Sequence, residues 1–173
     1  MNHLKLKILI LLFAAPLWGQ VKNIGLPEIK NYKRTEYKGG TQNWNIDQDK
    51  NGNLYFANNN GLFQFDGSVW HKYTLPNSPD TRCVKIDPSG KIFVGGYSEF
   101  GYYKTNSKGK LEYVSISKLV NKKKIIDFIW KIHLYKDEVV FQSFARIYIY
   151  KNNQLKIIEA PDRFQFSFLA QNR

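Results

Sequence analysis

Short apolar stretches separated by polar turn residues run along most of the chain after residue 40. Each stretch is four to six residues long and rich in aromatic and branched side chains, as in Leu54–Ala57, Leu62–Phe65 and Val69–Tyr73. The aromatic residues do not follow the three- and four-residue intervals of an amphipathic helix. Runs of this length between Gly, Asn and Asp residues are typical of buried β-strands. The pattern therefore predicts an all-β protein.

The turns between the strands repeat. The stretch Asp49–Ala57 recurs 38 residues later as Asp87–Gly95. In both copies an Asp opens a tight turn and a Gly closes it three residues on, where Asp can bond the turn backbone and Gly can adopt a positive φ. A strand-like run follows each Gly. The repeat indicates one structural unit used several times.

Each unit contains four predicted strands, which is typical of a β-propeller blade. We assign blade 1 to residues 42–77, blade 2 to 81–117 and blade 3 to 127–162, and residues 163–173 would open a fourth blade. Blade 3 keeps the strand order but lacks the Asp-x-x-Gly turn. The fold predicted is the amino-terminal part of a β-propeller with about three blades and the start of a fourth.

Stacking of blades follows from strands that are apolar on both faces, such as Leu54–Ala57. Such a sheet needs another sheet on each side. Three blades cannot close a ring, so we expect two apolar faces to remain uncovered. Residues 20–173 expressed alone should therefore aggregate or oligomerise.

The beginning of the chain has the features of a secretory signal peptide. Lys5 and Lys7 precede an apolar run from Ile8 to Leu17, and we expect cleavage between Gly19 and Gln20. An uncleaved anchor is the alternative, although the run is shorter than the roughly 20 residues that span a bilayer. Residues 20–41 form a lead-in that would either lie along blade 1 or close the ring with the distant end of the chain.

Composition and charge add two constraints. The 173 residues are 43% hydrophobic and 16% aromatic, which is enough for a core, and the formal net charge is +12. The basic residues are spread over turns and strand edges, and an exported protein does not meet DNA, so we predict no direct contact with nucleic acid. Cys83 is the one cysteine, so no intrachain disulfide can form, and a buried inert thiol is expected.

The repeats resemble the two-component regulator propeller repeat. The resemblance covers residues 42–117 well and 127–162 weakly. The matching residues of the first copy are Ile46, Asp49, Gly52, Leu54, Tyr55, Phe56, Ala57, Gly61, Leu62, Phe65, Asp66, Gly67, Trp70 and Tyr73. Those of the second copy are Ile86, Asp87, Pro88, Gly90, Ile92, Phe93, Val94, Gly95 and Gly96.

This resemblance implies an exported sensor region of a bacterial signalling protein. In that family the propeller is followed by a triple-tyrosine domain, a membrane helix and a cytoplasmic histidine kinase or helix-turn-helix output. It further implies a periplasmic location in an inner-membrane-anchored protein. The partners implied are the remaining blades and downstream domains and a second copy in a homodimer. The alternative function is a secreted or surface propeller that binds or cleaves polysaccharide and needs no membrane helix.

Catalytic and metal-binding patterns were weighed against ordinary turns. Asp47, Asp49, Asn51 and Gly52 match the start of a calcium-binding loop, but the twelfth position is Asn58 instead of the bidentate Glu. No zinc, redox or serine-hydrolase motif occurs, and Glu99 has no evident second carboxylate for glycoside cleavage. We predict no catalytic residue, metal or cofactor in this segment.

Ligand contacts are predicted on one rim of the propeller. In an up-and-down blade, the loop between the second and third strands and the connection to the next blade emerge on the same side. That rim would gather aromatic, amide and charged residues in loops of varied length, the composition expected of a binding surface. The candidate contacts to a small-molecule or oligosaccharide ligand are Tyr97, Glu99 and Arg82, and the alternative for each is a solvated loop residue. The other predicted members of this rim are Asn58, Asn59, Asn60, Asp80, Ser98 and Lys122 to Lys124.

Overall fold

The computed structural model describes residue 25 and residues 29–121 and 126–170. The predicted signal peptide, residues 1–19, lies outside the described residues. The chain divides into a unit spanning Met1–Asn31 and a larger unit spanning Tyr32–Arg173. In the first unit the described residues, 25 and 29–31, have no regular secondary structure. The blades all lie in the second unit.

Three antiparallel four-stranded sheets form the second unit, each with its strands in sequence order. Blade 1 contains β1 (Asn43–Gln48), β2 (Leu54–Asn58), β3 (Gly61–Phe65) and β4 (Trp70–Tyr73). Blade 2 contains β5 (Thr81–Ile86), β6 (Ile92–Gly96), β7 (Phe100–Thr105) and β8 (Leu111–Ser115). Blade 3 contains β9 (Lys131–Tyr135), β10 (Glu138–Gln142), β11 (Arg146–Lys151) and β12 (Gln154–Glu159). The all-β prediction is confirmed, and the architecture is that of a partial propeller.

The repeated turns have the predicted chemistry. The Asp49 carboxylate accepts the Asn51 and Asn53 backbone N–H groups at 2.9 and 3.0 Å, and Gly52 has φ 88°. Asp87 accepts the Lys91 N–H at 2.9 Å in the second copy. In blade 3 the equivalent turn, between β9 and β10, is a two-residue hairpin in which Lys136 takes a positive φ, and a second two-residue hairpin between β11 and β12 has Asn152 and Asn153 at positive φ. Asn is common at such positions, so blade 3 keeps its strand order after losing the Asp-x-x-Gly motif.

Two apolar layers hold the blades together. Tyr55, Leu62, Val84 and Val94 belong to the layer between blades 1 and 2. In the layer between blades 2 and 3, the Phe100 ring lies 4.8 Å from Phe141 and 4.9 Å from Tyr148. These spacings fall in the range of favourable aromatic pairs. Burial on both faces of blade 2 thus fixes the neighbouring blades.

Side chains also join the innermost strands. Asn45 accepts the Val84 N–H at 3.0 Å, and Asp47 accepts the Ile86 N–H at 2.8 Å. Both acceptors lie on β1 and both donors lie on the free edge of β5. Because unpaired edge N–H groups are costly to bury, these bonds fix the register of blade 1 against blade 2.

Residues 32–41 of the lead-in lie along blade 1, which was the first of the two positions expected for the lead-in. It contains a short helix, α1 (Arg34–Tyr37). The Tyr32 ring lies 4.9 Å from Phe65 and 5.5 Å from Trp70, and the Tyr37 ring lies 5.9 Å from Phe63. Phe63 is consequently only 1% exposed. The lead-in thus covers Phe63 on the outer face of blade 1, whereas Ile46 on that face is 54% exposed, so the expectation of an uncovered face is met there only in part.

The end of the chain is less regular. Residues 160–170 follow the rim of blade 3 without forming a strand, and Phe164 N–H donates to Phe144 O at 2.8 Å. A fourth blade beginning at residue 163 stays a prediction. Within the described ranges, no helix has the length and apolarity needed to cross a membrane.

Candidate functional site

A bulge occurs at the start of the innermost strand of blades 1 and 2. The pairing register shifts between Asn43 and Asn45 in β1 and between Thr81 and Cys83 in β5. These shifts place Trp44 and Arg82 at equivalent bulge positions. Bulges reorient side chains and are frequent beside binding sites.

Strand pairing identifies the equivalent position in blade 3. Lys131 pairs with Gln142, as Asn45 pairs with Ala57 and Cys83 with Gly95. The preceding residue, Trp130, donates its N–H to the same Gln142 carbonyl at 2.8 Å. Trp44, Arg82 and Trp130 therefore occupy one structural position in three consecutive blades.

These three side chains meet on one rim. The central guanidinium carbon of Arg82 lies 4.3 Å from the Trp44 ring centroid and 5.7 Å from that of Trp130. It also lies 4.8 Å from the Phe128 ring. Since these distances are within reach of cation–π attraction, Arg82 is held among three aromatic rings.

The loops between the second and third strands contribute a second group of side chains. Asn59 and Tyr97 follow β2 and β6 at equivalent positions. The Asn59 amide oxygen accepts the Trp44 indole N–H at 2.6 Å and also accepts a hydrogen bond from Arg82. The Tyr97 ring lies 4.9 Å from Phe128. We call Trp44, Asn59, Arg82, Tyr97, Phe128 and Trp130 the rim site.

Exposure distinguishes the members of the rim site. Trp44 is 41% exposed and Tyr97 is 44% exposed, whereas the Arg82 side chain is only 12% exposed. A surface that stacks against a ligand needs large exposed rings with an accessible flat face, and it needs a rigid support beneath them. Trp44 and Tyr97 are thus the accessible part of the rim site, and Arg82 supports it from beneath.

Two buried donors in the rim site have no acceptor. Arg82 Nε and Trp130 Nε1 are inaccessible to solvent and make no hydrogen bond to the described part of the chain. Of the other Arg82 nitrogens, one donates a hydrogen bond to Asn59 and one lies 3.9 Å from the Asp80 carboxylate as an ion pair. Unsatisfied buried donors cost stability, and in native structures each calls for an explanation such as a ligand or water.

The structure brings Tyr97 and Arg82 together through Phe128, but it separates Glu99 from them. The Glu99 side chain is 2% exposed, so its interpretation as a solvated loop charge is wrong. One carboxylate oxygen accepts hydrogen bonds from Tyr113, Ser115 and Ser117 at 2.9, 2.7 and 2.6 Å. The other accepts the Asn77 side-chain N–H at 2.8 Å.

Glu99 joins three segments of the chain. Asn77 lies in the connection from blade 1, Tyr113 and Ser115 lie on β8, and Ser117 begins the connection to blade 3. Hydrogen bonds to an ionised carboxylate are stronger than those between neutral groups. Burial raises the pKa of the Tyr113 phenol, and the adjacent Glu99 charge raises it further. The arrangement is that of a buried anchor, although Glu99 also lines an open cleft of ≈ 510 Å³.

The remaining members of the predicted rim have varied positions. Asn58 is fully buried and holds Gly40 and Asn43 by hydrogen bonds of 3.1 and 2.7 Å. Asn60 is exposed, Asp80 and Ser98 are half-buried, and Lys122 to Lys124 lie outside the described residues.

Acidic, histidine and cysteine side chains bear on metal and thiol chemistry. Among the residues the structure describes, no group of three His, Cys, Asp or Glu side chains is placed to hold a metal ion. Cys83 is buried, and its burial raises the pKa of the thiol well above its usual range. A thiol in that state is neutral and unreactive.

Sequence reasoning missed Trp44, Phe128 and Trp130. A signal for two of them was present, because Trp44 stands two positions before Ile46 and Trp130 two positions before Ile132, as Arg82 stands before Val84. Each bulge shifts the strand pairing by one residue, so the equivalence of these positions is not visible in the sequence pattern. Phe128 lies in an irregular segment that no repeat pattern predicts.

Solved structures with a similar fold fall into two groups. No protein-family model matches the chain, and no curated protein is similar enough to count as a relative. The chain superposes on the "extracellular domain of the putative hybrid two component system BT3049 from B. thetaiotaomicron" with TM-score 0.56, 18% identity and coverage of 77% of this chain and 17% of that chain. The corresponding BT4673 domain gives TM-score 0.52 and 17% identity, with coverage of 68% of this chain and 16% of that chain.

Virginiamycin B lyase from Staphylococcus aureus belongs to the second group. It superposes with TM-score 0.55 and 15% identity over 75% of this chain and 44% of that chain. The chain thus spans less than half the length of the structures it resembles. At these identities the likeness establishes a shared propeller-type fold.

Proposed function

We propose that this chain is part of an extracytoplasmic ligand-sensing propeller of a bacterial signalling protein, and that its ligand stacks on Trp44 and Tyr97 of the rim site. The observation that carries the proposal is that one inner-strand position, held by Trp44, Arg82 and Trp130 in three consecutive blades, brings these side chains together on one rim. Random surface aromatics would not share a structural position. The segment would bind its ligand without transforming it.

Rigidity of the surface supports a binding role. Arg82 is packed between Trp44 and Phe128 and is hydrogen-bonded to Asn59. The Trp44 indole is fixed by its bond of 2.6 Å to the same amide. A ligand that stacks on rings already held in place loses less conformational entropy on binding. Small molecules with flat apolar faces, including sugar rings, have the shape that this surface suits.

Two further observations support a signalling context. The fold is shared with the extracellular domains named above, which are described as parts of two-component systems. The first residues of the chain have the charge and apolar pattern of an export signal. Location outside the cytoplasm and attachment to an output domain are therefore part of the proposal.

Site-directed variants test the binding surface. A thermal-shift screen of neutral and acidic oligosaccharides would identify a ligand, and titration followed by intrinsic fluorescence would then give its affinity. Trp44→Ala and Tyr97→Ala should each weaken binding at least about tenfold, since loss of a stacking ring costs about 1.4 kcal/mol or more.

Tyr135→Ala is the matched control. Tyr135 is 40% exposed, much as Tyr97 is, but it ends β9 at the opposite rim. Its replacement should leave the affinity unchanged. Equal affinity of the Trp44, Tyr97 and Tyr135 variants for the ligand would refute the rim-site assignment.

A further inference from the structure

The innermost strands line a cavity that shares no residue with the rim site. It has a volume of ≈ 190 Å³ and is lined by β1, β5 and β9 through Asn45, Ile46, Cys83, Val84, Lys85, Lys131, Ile132 and His133. We call it the axial cavity. Its size accommodates one small ion with a few waters, because a water occupies about 30 Å³ in the liquid.

The free edge of an inner strand presents backbone N–H groups toward this axis. On β5 those groups belong to Val84 and Ile86, and side chains of β1 accept both of them. The register of β9 makes Ile132 and Leu134 the equivalent donors, because Lys131 pairs with Gln142 as Cys83 pairs with Gly95. Blade 3 therefore turns the same two N–H groups toward the axis.

The acceptors that serve blade 2 are replaced at blade 3. The residues equivalent to Asn45 and Asp47 are Cys83 and Lys85. The Cys83 thiol lies 3.3 Å from Ile129 O and 3.7 Å from Gly95 O, so it acts as a donor. Lys85 is a cation. Between blades 2 and 3 the side chains are therefore a thiol donor and a cation, whereas between blades 1 and 2 the equivalent side chains are an amide and a carboxylate.

Positive charge in the axial cavity is only partly neutralised. Lys85 pairs with Asp47 at 3.1 Å, and that carboxylate is already bonded to Ile86 N–H. Lys131 is exposed and forms no ion pair with the described residues. The pKa of His133 is lowered by burial and by the nearby Lys131 charge. Uncompensated cations beside free N–H donors form the usual environment of a bound oxyanion.

We propose that the axial cavity binds a small oxyanion, held by Lys131 and by the inner-edge N–H group of Ile132, both of which line it. The shared chemistry is that of a carboxylate, sulfate or phosphate group, either as a free ion or as part of a larger ligand. The proposal is independent of the rim site, and failure of either one leaves the other standing.

Calorimetry with defined anions tests the site. The purified protein would be titrated with sulfate, phosphate and acetate at constant ionic strength in chloride. Lys131→Gln should weaken binding of the preferred anion at least about tenfold, since a charge-assisted hydrogen bond contributes about 1.5 kcal/mol or more. The ranking of the three anions distinguishes a carboxylate site from a sulfate or phosphate site.

Lys156→Gln provides the control. Lys156 is an exposed residue on the outer strand β12, and its replacement removes the same charge far from the axis. Equal loss of affinity in both variants would show a general effect of net charge and would overturn the proposal. Absence of measurable binding of all three anions to the unmodified protein would overturn it as well.

A second variant and a direct observation localise the anion. Cys83→Asn would supply Ile132 with the acceptor that Asn45 gives Val84, and binding should then be lost although no charge has changed. In crystals grown with selenate, anomalous scattering should place selenium within hydrogen-bonding reach of Lys131 Nζ. Selenate found elsewhere, with the axial cavity vacant, would contradict the assignment even if the Cys83 variant failed to fold.

Discussion

The guanidinium of Arg82 lies over the Trp44 ring at 4.3 Å, and the two residues hold the same bulge position in adjacent blades. A cation is thus placed between aromatic rings from blade 1 and from the segment preceding blade 3. This contact ties three blades together at the rim where we propose that the ligand binds. Its strength can be measured.

Arg82→Ala should lower the free energy of unfolding by about 2 kcal/mol, because partly desolvated cation–π contacts contribute about 0.5–2 kcal/mol each. Denaturation in urea, followed by tryptophan fluorescence, provides the value. Lys91→Ala is the control, since Lys91 is exposed and lies 5.4 Å from the Tyr102 ring. Its effect should stay within about 0.5 kcal/mol, and equal losses in the two variants would contradict a special role for Arg82.

Replacement of Glu99 should destabilise the fold much more than replacement of an exposed acid. Glu99→Ala leaves three hydroxyl groups and one amide without their acceptor, which should cost about 3 kcal/mol or more. Glu99→Gln keeps one acceptor oxygen and should cost less. Glu112→Gln, at an exposed position on β8, should change stability by less than about 0.5 kcal/mol.

Urea denaturation of these three variants decides between the roles of Glu99. A stable Glu99→Ala protein would show that the carboxylate is not an anchor and would return it to the candidates for ligand contact. The expected order of stability is Glu112→Gln, then Glu99→Gln, then Glu99→Ala.

Alkaline pH should unfold the protein through its buried phenols. Burial raises the pKa of Tyr113 and of Tyr103, with further upward contributions from neighbouring charges. In the unfolded chain a phenol ionises near pH 10, whereas in the folded protein it stays neutral. Stability is therefore fully present below about pH 10 and decreases as pH rises above it, by up to about 1.4 kcal/mol per pH unit for each such phenol.

Unfolding in urea at pH 8 and at pH 11 measures this decrease. Tyr113→Phe should be less stable at pH 8, because Glu99 loses a donor, yet its stability should fall less between the two pH values. Tyr135→Phe controls for the removal of one exposed tyrosine. A decrease of the same size in the Tyr113 variant and the unmodified protein would disprove the explanation.

Loss of the lead-in contacts should expose the outer face of blade 1. Tyr37→Ala removes the contacts of the Tyr37 ring with Phe63 and Trp70. It should lower the free energy of unfolding by about 1–3 kcal/mol. Binding of a hydrophobic dye should rise at the same time. Arg34→Ala, in the same short helix but exposed, should affect neither measurement, and an identical response of the two variants would contradict the covering role of Tyr37.

The fold could be predicted because its determinants are local. Asp49 and Gly52 encode a turn by their own backbone bonding, and the following strand is encoded by consecutive apolar residues. Repetition of that pair at Asp87 and Gly90 then indicates the architecture. Even blade 3 could be recognised, since strand spacing persisted after its turns had changed.

The site could be predicted only in part because its determinants are distant in sequence. The rim positions of Tyr97 and Arg82 were predicted from their loops, and their role as ligand contacts stays a prediction. The burial of Glu99 depends on Asn77, 22 positions before it, and on Ser117, 18 positions after it, and a loop sequence carries no sign of either. Trp44 and Arg82 are related by a bulge, which is a property of strand pairing and not of residue type.

The position of the lead-in also affects how the protein folds during synthesis. Tyr32 and Tyr37 leave the ribosome before blade 1, so the cover for its outer face is already present when that sheet forms. Only the face that receives blade 2 then awaits a partner. A newly formed sheet with one open apolar face has half the surface through which neighbouring chains could associate, so the order along the chain protects the first blade until the others have formed.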